Sequence, residues 1–99
     1  MNTSLLGRWG ESLVAKELRR RGCRVVASGY RTRFGEIDLI AEDGPYLLFV
    51  EVKLRSKLRD GMRRESGTAK KQEKRRSAAL LYLSMHGLDA PARVDVAEV

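Results

Sequence analysis

Alternating apolar and polar residues between positions 35 and 53 predict two strands joined by a tight turn. Acidic and apolar side chains alternate over 36–42, with the period of two that is typical of a strand. Asp43-Gly44-Pro45 then provides residues that favour a turn. Residues 46–52 are apolar on both faces apart from Glu51, as in a strand that is covered on both sides. We therefore expect a β-hairpin at the centre of the fold.

The register of this hairpin decides which of its polar side chains meet. If residues 43–44 form the turn, Asp38 lies opposite Phe49 and diagonal to Glu51, at roughly 7–8 Å between Cα atoms. A loop longer by two residues would place Asp38 directly opposite Glu51, whereas a slip of one residue would separate the two acids. The alternation also predicts two opposite faces in the first strand, with Glu36, Asp38 and Ile40 on one and Ile37, Leu39 and Ala41 on the other.

Asp38, Glu51 and Lys53 share one face in either of the first two registers. Such a group is most often the solvated face of an amphipathic hairpin. Here the second strand is apolar on both sides, so its carboxylate is costly to desolvate unless a partner compensates the charge. Two carboxylates suit a magnesium or manganese ion, which keeps positions for water and for a phosphate oxygen. The neighbouring lysine could orient the attacking water or stabilise charge on the phosphate.

The rest of the chain predicts further elements: helices at 5–21 and 69–85, and strands at 23–28 and 93–99. Gly22 is expected to end the first helix, and residues 29–34 are expected to form a basic loop. On the first helix, Trp9 is expected to join Leu6 and Leu13 in the core. The order helix-strand-strand-strand-helix-strand predicts an antiparallel meander and a last strand that joins in parallel. This is an α/β (α+β) domain with a mixed sheet flanked by helices.

Composition and charge limit the function. The 99 residues are enough for one domain, 1–99, and not for two. The sequence has neither a signal-peptide pattern nor a membrane-spanning run, so we expect a cytoplasmic protein without a membrane partner. Residues 53–76 hold eleven Lys and Arg against three acids, which favours nucleic acid as a partner, although a solvated basic face would give the same count. We expect 54–67 to form a mobile basic flap beside the acids.

The hairpin residues resemble a known signature. Asp38 followed by Glu51-Val52-Lys53 is similar to the metal-binding motif of the PD-(D/E)XK nuclease superfamily, with Ile37 where the superfamily name has proline. Two longer strings resemble the YraN family of bacterial proteins within that superfamily: Gly35-Glu36-Ile37-Asp38-Leu39-Ile40 and Phe49-Val50-Glu51-Val52-Lys53. The resemblance implies a restriction-endonuclease-like core related to that of archaeal Holliday junction resolvases, and by analogy a homodimer. Because family members usually continue further, we expect a C-terminal element to be missing.

The resemblance also implies a role for Glu11. A glutamate in the setting Gly7-Arg8-Trp9-Gly10-Glu11 belongs to the active site proposed for the family. Glu11 shares a helical stripe with apolar residues, so it should face the sheet. Alternatively, Glu11 reaches the edge of the core or pairs with Arg8 or Arg19. The pair Lys71-Gln72 also recurs in the family, either as a substrate or active-site contact or as an ordinary solvated first turn.

Together these observations predict a nuclease that depends on magnesium or manganese and acts on nucleic acid, with DNA as the expected substrate. Asp38 and Glu51 would bind the metal, with Glu11 and the Val52 carbonyl as further ligands, and Lys53 would act on the attacking water. The nucleic acid would contact residues that follow the hairpin: Arg55, Lys57, Arg63, Arg64, Lys70, Lys71, Gln72, Lys74 and Arg75.

Other chemistry lacks its residues. His86 is the single histidine, and no Gly-x-x-x-x-Gly-Lys loop is present, so histidine-based metal sites and nucleotide hydrolysis are unsupported. The main alternative is a nucleic-acid-binding module of the same fold without catalysis, and a protein-interaction subunit is a weaker one. The basic stretch supports nuclease and binding module equally. The acids favour the nuclease, because carboxylates repel phosphate and a pure binder gains little from them.

Overall fold

Six elements form the part of the chain that the computed structural model describes, residues 3–54 and 69–99. They follow the predicted order: α1 (Thr3–Arg20), β1 (Arg24–Thr32), β2 (Gly35–Asp43), β3 (Tyr46–Lys53), α2 (Ala69–Met85) and β4 (Ala92–Glu98). Because β1 continues to Thr32, the predicted loop at 29–34 is mostly strand. The predicted flap at 54–67 lies, apart from Leu54, outside the described residues. Neither described helix is long and apolar enough to cross a membrane.

The described strands form one sheet in the order β1-β2-β3-β4. β1, β2 and β3 pair antiparallel, and β4 lies parallel to β3. A parallel neighbour cannot be reached by a tight turn, so the chain crosses the sheet through α2 between β3 and β4. The predicted meander and crossover are confirmed. The fold is an α+β domain with a mixed sheet flanked by two helices, compatible with the predicted restriction-endonuclease-like core.

The helices cover opposite faces of the sheet, because alternate residues of β3 belong to two apolar layers. Leu47 and Phe49 pack under α2 with Tyr82. Leu48 and Val50 pack under α1. β3 is therefore buried on both sides, as its uninterrupted apolar sequence predicted.

α1 ends where the sequence predicted. Gly22 has a φ of 92°, in the left-handed region that favours glycine. The Cys23 N–H donates to the Leu18 carbonyl at 2.9 Å, and the Gly22 N–H donates to the Arg19 carbonyl at 3.0 Å. These are the two hydrogen bonds of a Schellman motif, which satisfies the last carbonyls of the helix and directs the chain into β1.

The prediction that Trp9 belongs to the core is wrong. Trp9 is 54% exposed and Leu13 is 40% exposed. The face of α1 that packs on the sheet contains Val14 and Ala15 instead. Near the start of this face, a Cβ at Gly10 would lie only 2.8 Å from Leu54 Cδ2. Since α1 approaches the end of β3 this closely at Gly10, the neighbouring indole is left on the outer side of the helix.

The turn of the central hairpin differs by one residue from the first prediction. Asp43 pairs with Tyr46, so residues 44–45 form the turn rather than 43–44. Gly44 has a φ of 61°, as the first turn position of a type II′ hairpin requires. The register is the one predicted for the longer loop, although the observed loop has two residues.

The alternation of side chains between the two faces of the sheet is interrupted at the same level in β1 and β2. Ile37 and Ile40 belong to the layer under α2, whereas Leu39 belongs to the layer under α1. The prediction that Ile37 shares a face with Leu39 is therefore wrong, whereas the predicted alternation holds from Leu39 to Ala41. At the matching level of β1, Gly29 has a φ of 63°, which is strained for residues with a Cβ. Gly29 therefore allows the alternation to be interrupted in both strands at one level, and Asp38 is the residue of β2 at that level.

We expect Gly29→Ala to lower the free energy of unfolding by about 1–2 kcal/mol, because a left-handed backbone is strained for alanine. The added Cβ would meet Glu36 Oε2 at 3.8 Å, an ordinary contact, so crowding is not the reason. Gly29→Asn should be less destabilising, since asparagine tolerates this conformation better. Urea denaturation of both variants measures the difference, and equal losses would contradict the assignment to backbone strain.

Candidate metal centre

Asp38 and Glu51 come together where the ladder between β2 and β3 ends. The register pairs Leu39 with Val50, and the next residues, Asp38 and Glu51, line the same pocket. At that level the Val52 N–H donates to Asp38 Oδ2 at 2.8 Å. A side-chain oxygen thus takes the role that a strand carbonyl has elsewhere in the ladder, which fixes the carboxylate between the two strands.

Val52 presents its backbone to the same place. In an extended strand the N–H and C=O of one residue point toward the same neighbouring strand. The Val52 N–H points to Asp38, so its carbonyl also points toward β2, whereas the Lys53 carbonyl accepts from the Val99 N–H at 2.9 Å on the other side. The Val52 carbonyl therefore faces the gap beside Asp38, where it was predicted to act as a ligand.

Glu51 meets Arg75 of α2. Arg75 Nη1 lies 3.1 Å from Glu51 Oε1, and the two side chains are only 15% and 21% exposed. Arg75 Nε is buried and makes no hydrogen bond within the described part of the chain. The residue that the sequence analysis assigned to nucleic acid is thus, in this structure, bound to an acid of the candidate site.

Burial raises the pKa of Asp38 against the opposing effect of the Val52 N–H, and the Glu36 and Glu51 carboxylates raise this pKa further. Burial also raises the pKa of Glu11, with added repulsion from Asp38 and Glu36. Glu11 therefore lies close enough to Asp38 for their charges to interact. Coupled acids with raised pKa values are frequent at functional sites.

Glu36 is a member of this acidic group that the sequence analysis did not assign. Its Oε2 lies 3.7 Å from Arg31 Nε. The spacing Glu36-Ile37-Asp38 already indicated that two acids lie close together. Regular alternation predicted both on one face, so Glu36 was interpreted as part of the strand pattern and not as a site residue. An open groove of about 450 Å³ lies between α1 and β1, lined by Gly7, Arg8, Glu11, Ser28, Gly29, Arg31 and Glu36.

A second pocket, of about 250 Å³, lies beside Asp38 toward α2 and is lined by Gly35, Glu36, Asp38, Glu51, Lys74 and Arg75. Lys53 is half-buried, two residues beyond Glu51 on β3. Lys70 and Gln72 are exposed near the start of α2. The other predicted contacts lie outside the described residues, or for Lys71 outside the described side chains: Arg55, Lys57, Arg63, Arg64 and Lys71.

The donor set fits a hard divalent cation that keeps much of its hydration. Within residues 3–54 and 69–99, no three His, Cys, Asp or Glu side chains are grouped closely enough to hold a metal ion by themselves. Magnesium nevertheless binds through one or two carboxylates, with waters and substrate phosphates completing its shell. Manganese accepts the same oxygen ligands. The grouping of Glu36, Asp38 and Glu51 around one pocket favours a cation here, because a bound cation would relieve the repulsion between these carboxylates.

Fold and site define a class: an α+β domain compatible with a restriction-endonuclease-like core, with acids at the end of its central hairpin. The model of a family described as "Uncharacterised protein family UPF0102" matches residues 10–99. The chain is 43% identical over 95 residues to a UPF0102 protein of Renibacterium salmoninarum, which covers 95% of this chain and 80% of that protein. It is 46% identical over 95 residues to a UPF0102 protein of Symbiobacterium thermophilum, with the same 95% and 80% coverage. The chain belongs to the UPF0102 family, and the resemblance to the YraN family is confirmed.

We expect Asp38→Asn to stabilise the protein in the absence of metal at neutral pH, by roughly 0.5–1 kcal/mol. A carboxylate whose pKa is raised by folding favours the folded state only while protonated, so its penalty appears as the pH rises through that pKa. Asparagine removes the charge and can still accept from the Val52 N–H. The gain should therefore disappear in acid, where wild-type Asp38 is also neutral.

Urea denaturation at neutral and at acidic pH measures this effect. Asp89→Asn removes an acid that is exposed after α2 and serves as the matched control. A loss of stability in Asp38→Asn at neutral pH would contradict the proposed repulsion.

Proposed function

We propose that the chain is a metal-dependent nuclease that hydrolyses phosphodiester bonds in nucleic acid, with DNA as the expected substrate. The observation that supports this best is the meeting of Asp38 and Glu51 at the end of the β2–β3 ladder. Half-buried carboxylates repel the phosphates of a ligand, so a protein that only binds nucleic acid gains little from them. A hydrolase needs such carboxylates to hold a cation at the scissile phosphate.

Asp38 and Glu51 would hold magnesium or manganese through carboxylate oxygens, with the Val52 carbonyl as a further ligand. Such an ion, when bound, supplies Lewis-acid polarisation of the phosphate and a lowered pKa for a coordinated water. The protein contributes by holding the ligand groups in fixed positions. The hydrogen bond from the Val52 N–H fixes Asp38, and the pairing of β3 with β4 fixes the backbone of Glu51 and Val52.

Lys53 and Glu11 would act on either side of these ligands. The Lys53 ammonium, two residues beyond Glu51, would orient the attacking water or stabilise negative charge on the phosphate. Glu11 reaches the site from α1, and burial and repulsion from Asp38 and Glu36 raise its pKa from the usual value. A carboxylate with a raised pKa exchanges a proton with water closer to neutral pH, which suits a group that orients a reacting water.

Basic side chains lie near the acids on both faces of the sheet, one face covered by α1 and the other by α2. Lys70, Lys74 and Arg76 are exposed on α2. Arg8 and Arg31 line the groove between α1 and β1. Phosphate oxygens are the groups that such lysines and arginines contact, so these side chains would position a nucleic-acid strand across the site.

A nucleic-acid-binding module of the same fold without catalysis is the second candidate. The observation in its favour is the ion pair between Arg75 and Glu51, because a carboxylate that is neutralised by a guanidinium is not free to hold a metal. In that case the acids would serve to position Arg75 in the domain. The two candidates differ in whether cleavage depends on Asp38.

Cleavage of a DNA panel with manganese or magnesium tests the proposal. We expect wild type to cut at least one of the single-stranded, duplex, flap and four-way junction forms. Asp38→Asn and Glu51→Gln should each reduce the rate on the order of 100-fold or more, since each removes a charge that would hold the cation. Asp89→Asn should cut like wild type. Cleavage that survives in both site variants would contradict the assignment, and binding without cleavage would favour the second candidate.

The dependence of DNA binding on salt tests the basic surface. Lys74→Gln and Arg76→Gln should each reduce the slope of log K against log salt by about 1, because each phosphate contact releases counterions. Lys16→Gln is the matched control, since Lys16 is exposed on α1 and lines neither pocket beside Asp38. Equal slopes for Lys16→Gln and Lys74→Gln would show that α2 does not contact the phosphates.

A further inference from the structure

We infer that Arg75 competes with a divalent cation for Glu51, so that metal binding requires the guanidinium to leave this carboxylate. The inference rests on the proposed function and adds a form of regulation to the same site. It concerns how tightly the metal is held, rather than which residues hold it.

The proposed metal and the Arg75 guanidinium share one carboxylate. Arg75 Nη1 lies 3.1 Å from Glu51 Oε1, the carboxylate that would hold the metal together with Asp38. Both side chains are mostly removed from water, at 15% and 21% exposure, so solvent screens the attraction between them only in part. A metal bound to either oxygen of Glu51 must displace the guanidinium or lie beside its positive charge.

The ion pair with Glu51 leaves one hydrogen-bond donor of Arg75 without a partner among the described residues. This donor is Nε, and it is buried. A buried donor without a partner is unfavourable, so the contact with Glu51 opposes a tendency of the side chain to leave. A doubly charged cation attracts the carboxylates more strongly than a guanidinium does, which makes the exchange feasible.

The competition extends to the second ligand. The positive charge of Arg75 also acts on Asp38, which lines the same pocket as Glu51. In the absence of metal, Arg75 therefore offsets part of the repulsion between the two acids. Removing this charge should increase the affinity of the site for metal. It should also make the protein less stable when no metal is bound.

Calorimetric titration of manganese into wild type and Arg75→Met tests the inference. We expect the variant to bind manganese about tenfold more tightly, because a competing charge is gone. Lys16→Gln is the matched control, since Lys16 is exposed on α1 and lines neither pocket beside Asp38. It should bind within about threefold of wild type, which separates a local effect from a change in net charge.

Thermal denaturation gives a second readout that does not depend on catalysis. Arg75→Met should melt at a lower temperature than wild type without metal and should gain more than wild type from saturating manganese. If Arg75→Met does not fold, Arg75→Gln replaces it, because an amide can still donate to Glu51 without the charge.

The outcomes separate the inference from the proposed function. If wild type binds manganese and the Arg75 variants bind no more tightly, the competition is wrong and the metal site stands. If wild type and the variants bind no manganese at millimolar concentration, the metal site itself is wrong and the inference fails with it.

Discussion

The hydrogen bond from the Val52 N–H to Asp38 Oδ2 is the contact on which the candidate site depends. It ends the β2–β3 ladder with a carboxylate in place of a backbone carbonyl, so an acidic side chain is held between two strands of the sheet. Burial of that carboxylate is unfavourable, and repulsion from Glu36 and Glu51 makes it more so. The two apolar layers on β3 supply the stability that keeps this arrangement in place.

The central hairpin could be predicted because its signals are local. Strand alternation, turn residues and an apolar strand are all properties of neighbours in the sequence. The turn was displaced by one residue because Asp43, Gly44 and Pro45 all favour turns, and only the pairing of the strands selects two of them. Since Asp38 and Glu51 share a face in both registers, the error did not affect the prediction that they meet.

The features that were missed depend on residues far apart in the sequence. The interrupted alternation at Asp38 requires Gly29 on the neighbouring strand, and no pattern within β2 indicates it. On α1, helical periodicity correctly predicted that the stripe with Val14 and Ala15 faces the sheet, but it did not show that Trp9 lies outside the core. The close approach at Gly10 leaves Trp9 on the outer side of the helix. Glu36 acquires its coupling to Glu11 only through the packing of α1 on the sheet.

α2 joins the stability of the fold to the charge of the site. Arg75 precedes Ala78 by three residues, Ala79 by four and Tyr82 by seven, so it lies on the stripe that packs on the sheet. A cation on a packed stripe needs an acid within reach, and Glu51 is the acid that meets it. The same stripe therefore fixes the apolar layer and sets the distance between guanidinium and carboxylate. Any change that shifts α2 on the sheet must alter both, so packing and electrostatics at this site cannot vary independently.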